Sequence, residues 1–218
     1  MTESLPVTAV LRVSRATFDP SRFAEVDARS THQAGYLRAA VQQLPGLIHF
    51  YATVSPDGSM VQASVWDTEE HSAQLNHLKE MVVIARGEME EVGVAFTPIV
   101  TSSIGWAILP GAASVPATAV ARYSHGAFAP DRFEPIDALS TQQADFLVPA
   151  IEQLPGLFRY YEAVAPQGEM THISIWESEE HANQMAALKE MVVTAREQST
   201  AAGVVFDPIV NYPLSWTI

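Results

Sequence analysis

The chain has 218 residues, 48% apolar and 17% charged, an ordinary globular composition long enough for one large domain or two small ones. It has no cysteine, which excludes thiolate nucleophiles, Cys-ligated zinc, iron–sulfur clusters and disulfides. A formal charge of −13 argues against nucleic acid and anionic membrane as partners, because both are recognised through Lys/Arg patches.

The opening MTESLPVTAV lacks the basic start and continuous apolar run of a signal peptide. No stretch approaches the apolar length of a membrane span, so a cytoplasmic location is expected. Thr8–Arg15 alternates apolar and polar residues and predicts a strand. A helical stretch follows and stops at Leu44, where Pro45-Gly46 breaks it. Ser30 with Gln33, and Ser140 with Gln143, have capping-box spacing, while the segments from Arg22 and Arg132 read as alternative starts. Pro149 should bend the second of these helices or remove a hydrogen bond from it. His49–Val54 and Met60–Trp66 flank Ser-Pro-Asp-Gly and predict a hairpin. A second helix is expected from about Glu69 to Glu91, capped by Thr68 or Asp67. A last strand follows Pro98 and carries Trp106 near its end.

The same order then starts again. LPGL at Leu44–Leu47 returns at Leu154–Leu157, EEH at Glu69–His71 returns at Glu179–His181, and LKEMVV at Leu78–Val83 returns at Leu188–Val193. Each interval is the same (154 − 44 = 110 and 188 − 78 = 110), so the copies align without a gap over residues 1–110 and 111–218. The join, Leu109–Pro116, is small-residue and Pro-rich. Each copy reads as βαββαβ, the ferredoxin-like unit. Such a sheet carries both helices on one side and leaves its other face bare. Two of them face to face would cover both. The expected fold is therefore α+β, with two tandem ferredoxin-like repeats forming a dimeric α/β barrel within one chain. Further homo-oligomerisation is left open.

The order PGL, strand, PDG, strand, Trp-Asp/Glu, helix, running from Pro45 to Arg86 and again from Pro155 to Arg196, resembles the antibiotic-biosynthesis-monooxygenase group of the dimeric α/β-barrel superfamily. In the cofactor-independent, quinone-forming members, an Asn four residues before that Trp, the Trp itself and an Arg late in the second helix line the site. The resemblance implies those roles for Trp66 and Trp176 and for Arg86 and Arg196. The Asn position holds Gln62 in one copy and His172 in the other, both still able to donate a hydrogen bond. The haem-degrading branch needs a Trp where this chain has Leu75 and Met185, so haem is not expected and no cofactor is implied.

The period of two in Met60–Trp66 sets Gln62, Ser64 and Trp66 against Val61, Ala63 and Val65. The second copy repeats it with His172, Ser174 and Trp176 against Thr171, Ile173 and Ile175. A polar face with a Trp points to a ligand cavity or to a partly solvated face. Positions 71, 75, 78, 82, 85 and 89 form an apolar helical stripe headed by His71, with His181 heading its counterpart. These two histidines are candidate general bases, or first-turn residues half exposed at a helix start. Arg86 and Arg196 border the stripe and could anchor a phenolate or carboxylate, or pair with an acid such as Glu90 or Asp27. Tyr51 and Tyr161 are candidate phenol donors to a substrate or sheet-packing aromatics, and Ser64 and Ser174 are candidate substrate contacts. No metal-ligand spacing, GxGxxG or Walker pattern occurs.

The function expected first is a monooxygenase without cofactor, oxidising a fused-ring phenol or anthrone-like aromatic with O2. The alternatives are a non-enzymatic barrel binding an apolar small molecule or a protein, and an isomerase or lyase on the same scaffold. Because Gln62 and His172 differ, the copies are expected to have diverged, with the second the more active.

Overall fold

The structure, a computed structural model, describes residues 4–111, 115–116 and 118–218. The first three residues of the opening segment and residues 112–114 of the expected join lie outside the described residues. The first copy contains β1 (Val10–Thr17), α1 (Phe23–Gln42), β2 (Leu47–Val54), β3 (Ser59–Trp66), α2 (Glu69–Ala73), α3 (Lys79–Glu91), the two-residue β4 (Ala95–Phe96) and β5 (Val100–Ile108). The second follows with β6 (Val120–Ala127), α4 (Phe133–Ile151), β7 (Leu157–Ala165), β8 (Glu169–Trp176), α5 (Glu179–Asn183), α6 (Lys189–Ala201), β9 (Val205–Phe206) and β10 (Val210–Thr217). The fold is mixed α+β.

Two local expectations need correction. The first helix of each copy starts at Phe23 and Phe133, directly after a 3-10 turn opened by a proline. Ser30 and Gln33 are therefore not a cap but sit buried in mid-helix. The Gln33 amide donates across to the Ala85 carbonyl at 2.7 Å, as Gln143 does to that of Ala195 at 2.9 Å. The second helix is not continuous over 69–91. It tightens into a 3-10 turn at Gln74–Leu78, where Leu75 and Leu78 follow the three-residue repeat of that geometry. Its cap is as read from the sequence: the Thr68 hydroxyl accepts from the His71 N–H at 3.1 Å, and Ser178 serves His181 at 3.3 Å. Helix α4 runs through Pro149 to Ile151.

The repeated LPGL has a steric reason. Gly46 and Gly156 take φ of +77° and +78°, and a Cβ at either would collide with the ring of His71 or His181.

By contact the chain divides into two compact units: residues 6–101 with 212–218, and residues 102–211 with the start of the chain. In the first unit an antiparallel sheet runs β10-β2-β3-β1-β4. In the second it runs β5-β7-β8-β6-β9. The sequence repeat and the compact units thus have different boundaries, because the last long strand of each copy joins the sheet begun by the other. Pro98 and Pro208 explain the departure. Each follows a two-residue strand paired to β1 or β6, and a residue without an N–H cannot extend that ladder.

In the first unit α1 packs on β2 and on α3, so both helices cover one face of the sheet. α4 packs on β7 and α6 in the same way. Val61, Ala63 and Val65, and Ile173 and Ile175, are fully buried on the strand faces that alternate with Gln62 and His172. Among the described residues no helix is long and apolar enough to cross a membrane.

Candidate functional site

Between sheet and helices each unit has a cavity that is partly open to solvent. In the first unit, register pairs Arg12 with Ser64 and Ser14 with Gln62, so four polar side chains share the helix-facing side of β1 and β3. Leu37 and Val41 of α1, and Val82, Ala85, Arg86 and Met89 of α3, roof them over a space of about 130 Å³. In the second unit Arg122, Ser124, His172 and Ser174 stand under Leu147, Ile151, Val192, Ala195 and Arg196 around about 80 Å³. A cavity of about 150 Å³ holds benzene, so the first space comes close to one aromatic ring, while the second is about half that size.

The second cavity holds the richer chemistry. The Tyr160 hydroxyl lies 3.1 Å from His172 Nδ1, and Trp106 stacks on Tyr160 with ring centroids 5.0 Å apart. His172 is half-buried and lines the cavity. Burial, and then the Arg196 charge, push its pKa down to about 4, so the imidazole is neutral near pH 7. Burial, with the nearby Glu162 adding to it, raises the Tyr160 pKa and keeps the phenol protonated. Arg122 donates to Asn211 Oδ1 at 3.2 Å. Arg196 donates to the Asp207 carbonyl at 3.1 Å and lies 4.3 Å over the Phe206 ring. Burial lowers the pKa of both arginines, which nevertheless remain cations.

Behind His172 lies Glu162, its cross-strand partner on β7 and fully buried. Neither carboxyl oxygen has a hydrogen-bond partner among the described residues. Burial pushes its pKa up to about 8; the Ser140 hydroxyl draws it partly back without completing a bond, and Asp137 raises it further. Room for the carboxyl comes from Gly105, where a Cβ would stand 2.5 Å from Glu162 Oε2.

The first cavity differs at each of these points. Phe50 replaces Tyr160 and stacks on Trp216 at 4.6 Å, Gln62 replaces His172, Ala52 replaces Glu162 and Ser215 replaces Gly105. The Ser215 hydroxyl lies 3.0 Å from that of Ser30. Arg86 is held by Glu90 at 3.0 Å and lies 4.7 Å over Phe96.

Of the residues singled out by sequence, Gln62, Ser64 and Arg86 line the first cavity, and His172, Ser174 and Arg196 the second. Trp66 and Trp176 are fully buried and stand outside the lining. They hold it instead, their indole N–H donating to Ser64 at 2.9 Å and to Ser174 at 2.8 Å. Tyr51 and Tyr161 are buried on the opposite strand face, and their neighbours Phe50 and Tyr160 take the cavity side. His71 and His181 are not brought to the cavities: His71 Nδ1 lies 2.6 Å from Asp67 Oδ1, and His181 Nδ1 lies 3.1 Å from Ser178 Oγ. Sequence reading missed Arg12 and Arg122, Trp216 and Trp106, Tyr160 and Glu162. The alternation in TAVLRVSR puts Arg12 on the face of Ser14, and differences between the copies at 52/162 and 105/215 were visible in the alignment. Among the described residues no group of three His, Asp or Glu could hold a metal ion.

No family model and no curated protein matches this chain. Solved structures do. A candidate monooxygenase from Fusobacterium nucleatum superposes with a TM-score of 0.70 at 9% identity, over 97% of this chain and 94% of that one. A candidate monooxygenase from Lactobacillus acidophilus gives 0.64 at 10% identity, over 96% and 95%. An anthrone oxidase-like protein gives 0.63 at 12% identity, over 97% and 93%. Chlorite dismutase of Candidatus Nitrospira defluvii follows at 0.52. At these identities the likeness establishes the fold alone.

Proposed function

We propose that this chain is a monooxygenase of the antibiotic-biosynthesis type, built from two tandem repeats, that oxidises a phenolic aromatic with O2 and no cofactor in the cavity of its second unit. The observation that carries the reading is the Tyr160–His172 pair, set between two arginines in a largely apolar cavity. The monooxygenase and anthrone oxidase-like neighbours support it.

In the proposed reaction the substrate supplies the electrons. The field of Arg122 and Arg196 favours the ionised substrate, so its own proton leaves without a strong protein base. The resulting carbanion adds to O2 and gives a peroxide. Collapse of the peroxide leaves a new carbonyl carrying one oxygen atom and water carrying the other. His172, neutral and fixed by Tyr160, is suited to hydrogen-bond the developing oxyanion rather than to take the proton. The apolar walls limit water near the reactive intermediate. At about 80 Å³ the cavity is smaller than the roughly 150 Å³ that holds benzene, so the lining must open for a one-ring substrate and further for a fused-ring one.

Haem is the cofactor that the chlorite dismutase neighbour brings into question. Spaces of about 80 and 130 Å³ do not fit a porphyrin, and no step is assigned to one. Oxygen uptake by dialysed protein, tested with anthrone and with one-ring phenols, is the deciding experiment. Catalysed uptake with one oxygen atom entering the product supports the proposal. Uptake no faster than without protein refutes it and favours a non-enzymatic binding protein.

A further inference from the structure

Arg12 projects from β1 into the first cavity and makes no hydrogen bond or ion pair among the described residues. Its counterpart Arg122 is satisfied by Asn211; the residue aligned with Asn211 is Thr101, and no bond joins it to Arg12. No carboxylate lines this cavity, although the chain as a whole carries a charge of −13. Beside Arg12 the Gln62 amide is also without a side-chain partner among the described residues. Burial lowers the Arg12 pKa, and no neighbouring charge offsets it. A half-buried guanidinium and an idle amide, under apolar walls that include the Phe50–Trp216 stack, lack one component: an anion attached to something flat and apolar.

We infer that the cavity of the first unit is a binding site for a small aromatic carboxylate, whose carboxylate pairs with Arg12 and accepts from Gln62 while its ring lies among Leu37, Phe50, Val82 and Trp216. A volume of about 130 Å³ suits one ring. The fork of a guanidinium matches a carboxylate's two oxygens, and pairing in a water-poor space is stronger than at a surface. This site carries no reaction, and its existence does not depend on oxygen chemistry in the second unit.

The test is calorimetric titration of the full chain with benzoate and, separately, with benzamide, which keeps the ring and removes the charge. One saturable benzoate site is expected, with benzamide weaker by about tenfold or more, the range of a hydrogen bond to a charged group. Arg12→Gln should weaken benzoate by a similar factor, and Arg12→Lys by less, because it keeps the charge but not the fork. Arg122→Gln and His172→Ala should leave the titration unchanged. If Arg12→Gln fails to fold, the benzoate/benzamide ratio on the native chain and the Arg12→Lys titration decide. Absence of saturable benzoate binding, equal affinity for benzamide, or indifference to both Arg12 substitutions would overturn the assignment. So would loss of the site on Arg122→Gln, which would move the anion to the second cavity.

Discussion

Replacing Glu162 with Gln should remove a pH dependence of stability that the buried carboxyl imposes. The ordinary carboxyl value of 4.5 describes the unfolded chain, and the folded value is about 8. The folded protein therefore favours the protonated form. Its contribution is fully present below about pH 4.5, is lost as pH rises, and is exhausted above about pH 8. At about 1.4 kcal/mol per unit, the penalty is roughly 3 kcal/mol at pH 7 and about 5 kcal/mol above pH 8. Gln fills the same space under Ser140 and beside Gly105 but does not ionise. Its unpartnered amide costs on the order of 1–3 kcal/mol at every pH, which offsets the curve without tilting it. The assay is urea unfolding of both proteins at pH steps from 5 to 8.5. The native chain should lose about 1.4 kcal/mol per pH unit relative to the variant up to pH 8. His172, lowered to about 4, tilts both curves alike in the opposite sense below pH 6.5, and Tyr160 stays protonated throughout. Asp137, raised by burial and facing the same carboxyl, can blunt the slope only where both would be charged. Parallel curves would mean that Glu162 is ionised and partnered in the folded protein, and the reading of this site would fall.

Gly105→Ser should destabilise by about 1–3 kcal/mol, because its Cβ would crowd Glu162 Oε2. Adding Glu162→Ala should restore most of the loss, and a thermodynamic double-mutant cycle would measure the coupling. In oxygen-uptake assays, His172→Ala should lower kcat/KM on the order of a hundredfold, as loss of an oxyanion donor does, with Gln62→Ala nearly silent. His172→Gln should retain most of the activity if the imidazole acts as a neutral donor; a loss as large as that of Ala would make it a base. Hemin titration followed by absorbance should give no tight stoichiometric complex, since neither cavity has room for a porphyrin.

Much of the local fold was legible because it is written in short-range chemistry. Alternation marked β1 and β3, Pro-Gly marked the helix stop, and Thr68 or Asp67 marked a cap; each is satisfied within a few residues of itself. Where β5 and β10 pair was not legible, because strand pairing is a long-range choice and the local pattern of Val100–Ile108 is the same whichever edge receives it. Ser30 and Gln33 misled for the same reason. Their spacing fits a cap, but the partner of Gln33 is the Ala85 carbonyl, 52 residues away. At the site, the alternation of β3 was enough to put Gln62 together with Ser64, and that of β8 to put His172 together with Ser174. Nothing local could tell that Phe50 and Tyr160, rather than Tyr51 and Tyr161, face the cavity, since both positions carry aromatic residues in the second copy.

The differences between the copies are coupled in space, and that coupling bears on function. Tyr160 needs His172 as its hydrogen-bond partner, while Phe50 and Gln62 have dropped that bond together. Glu162 requires Gly105, while Ala52 tolerates Ser215, whose hydroxyl then meets Ser30. Gly105 does not take positive φ, so its own backbone does not demand glycine; the carboxyl beside it does. A glycine inside a strand and a buried acid without a hydrogen-bond partner among the described residues both lower stability, yet they occur together beside the cavity that His172 lines. Packing alone couples such changes, since a larger side chain at one position requires a smaller one at the position it touches. The result is that polar, titratable groups gather around the second cavity, while the first, wider space holds Arg12, which has no hydrogen bond or ion pair among the described residues.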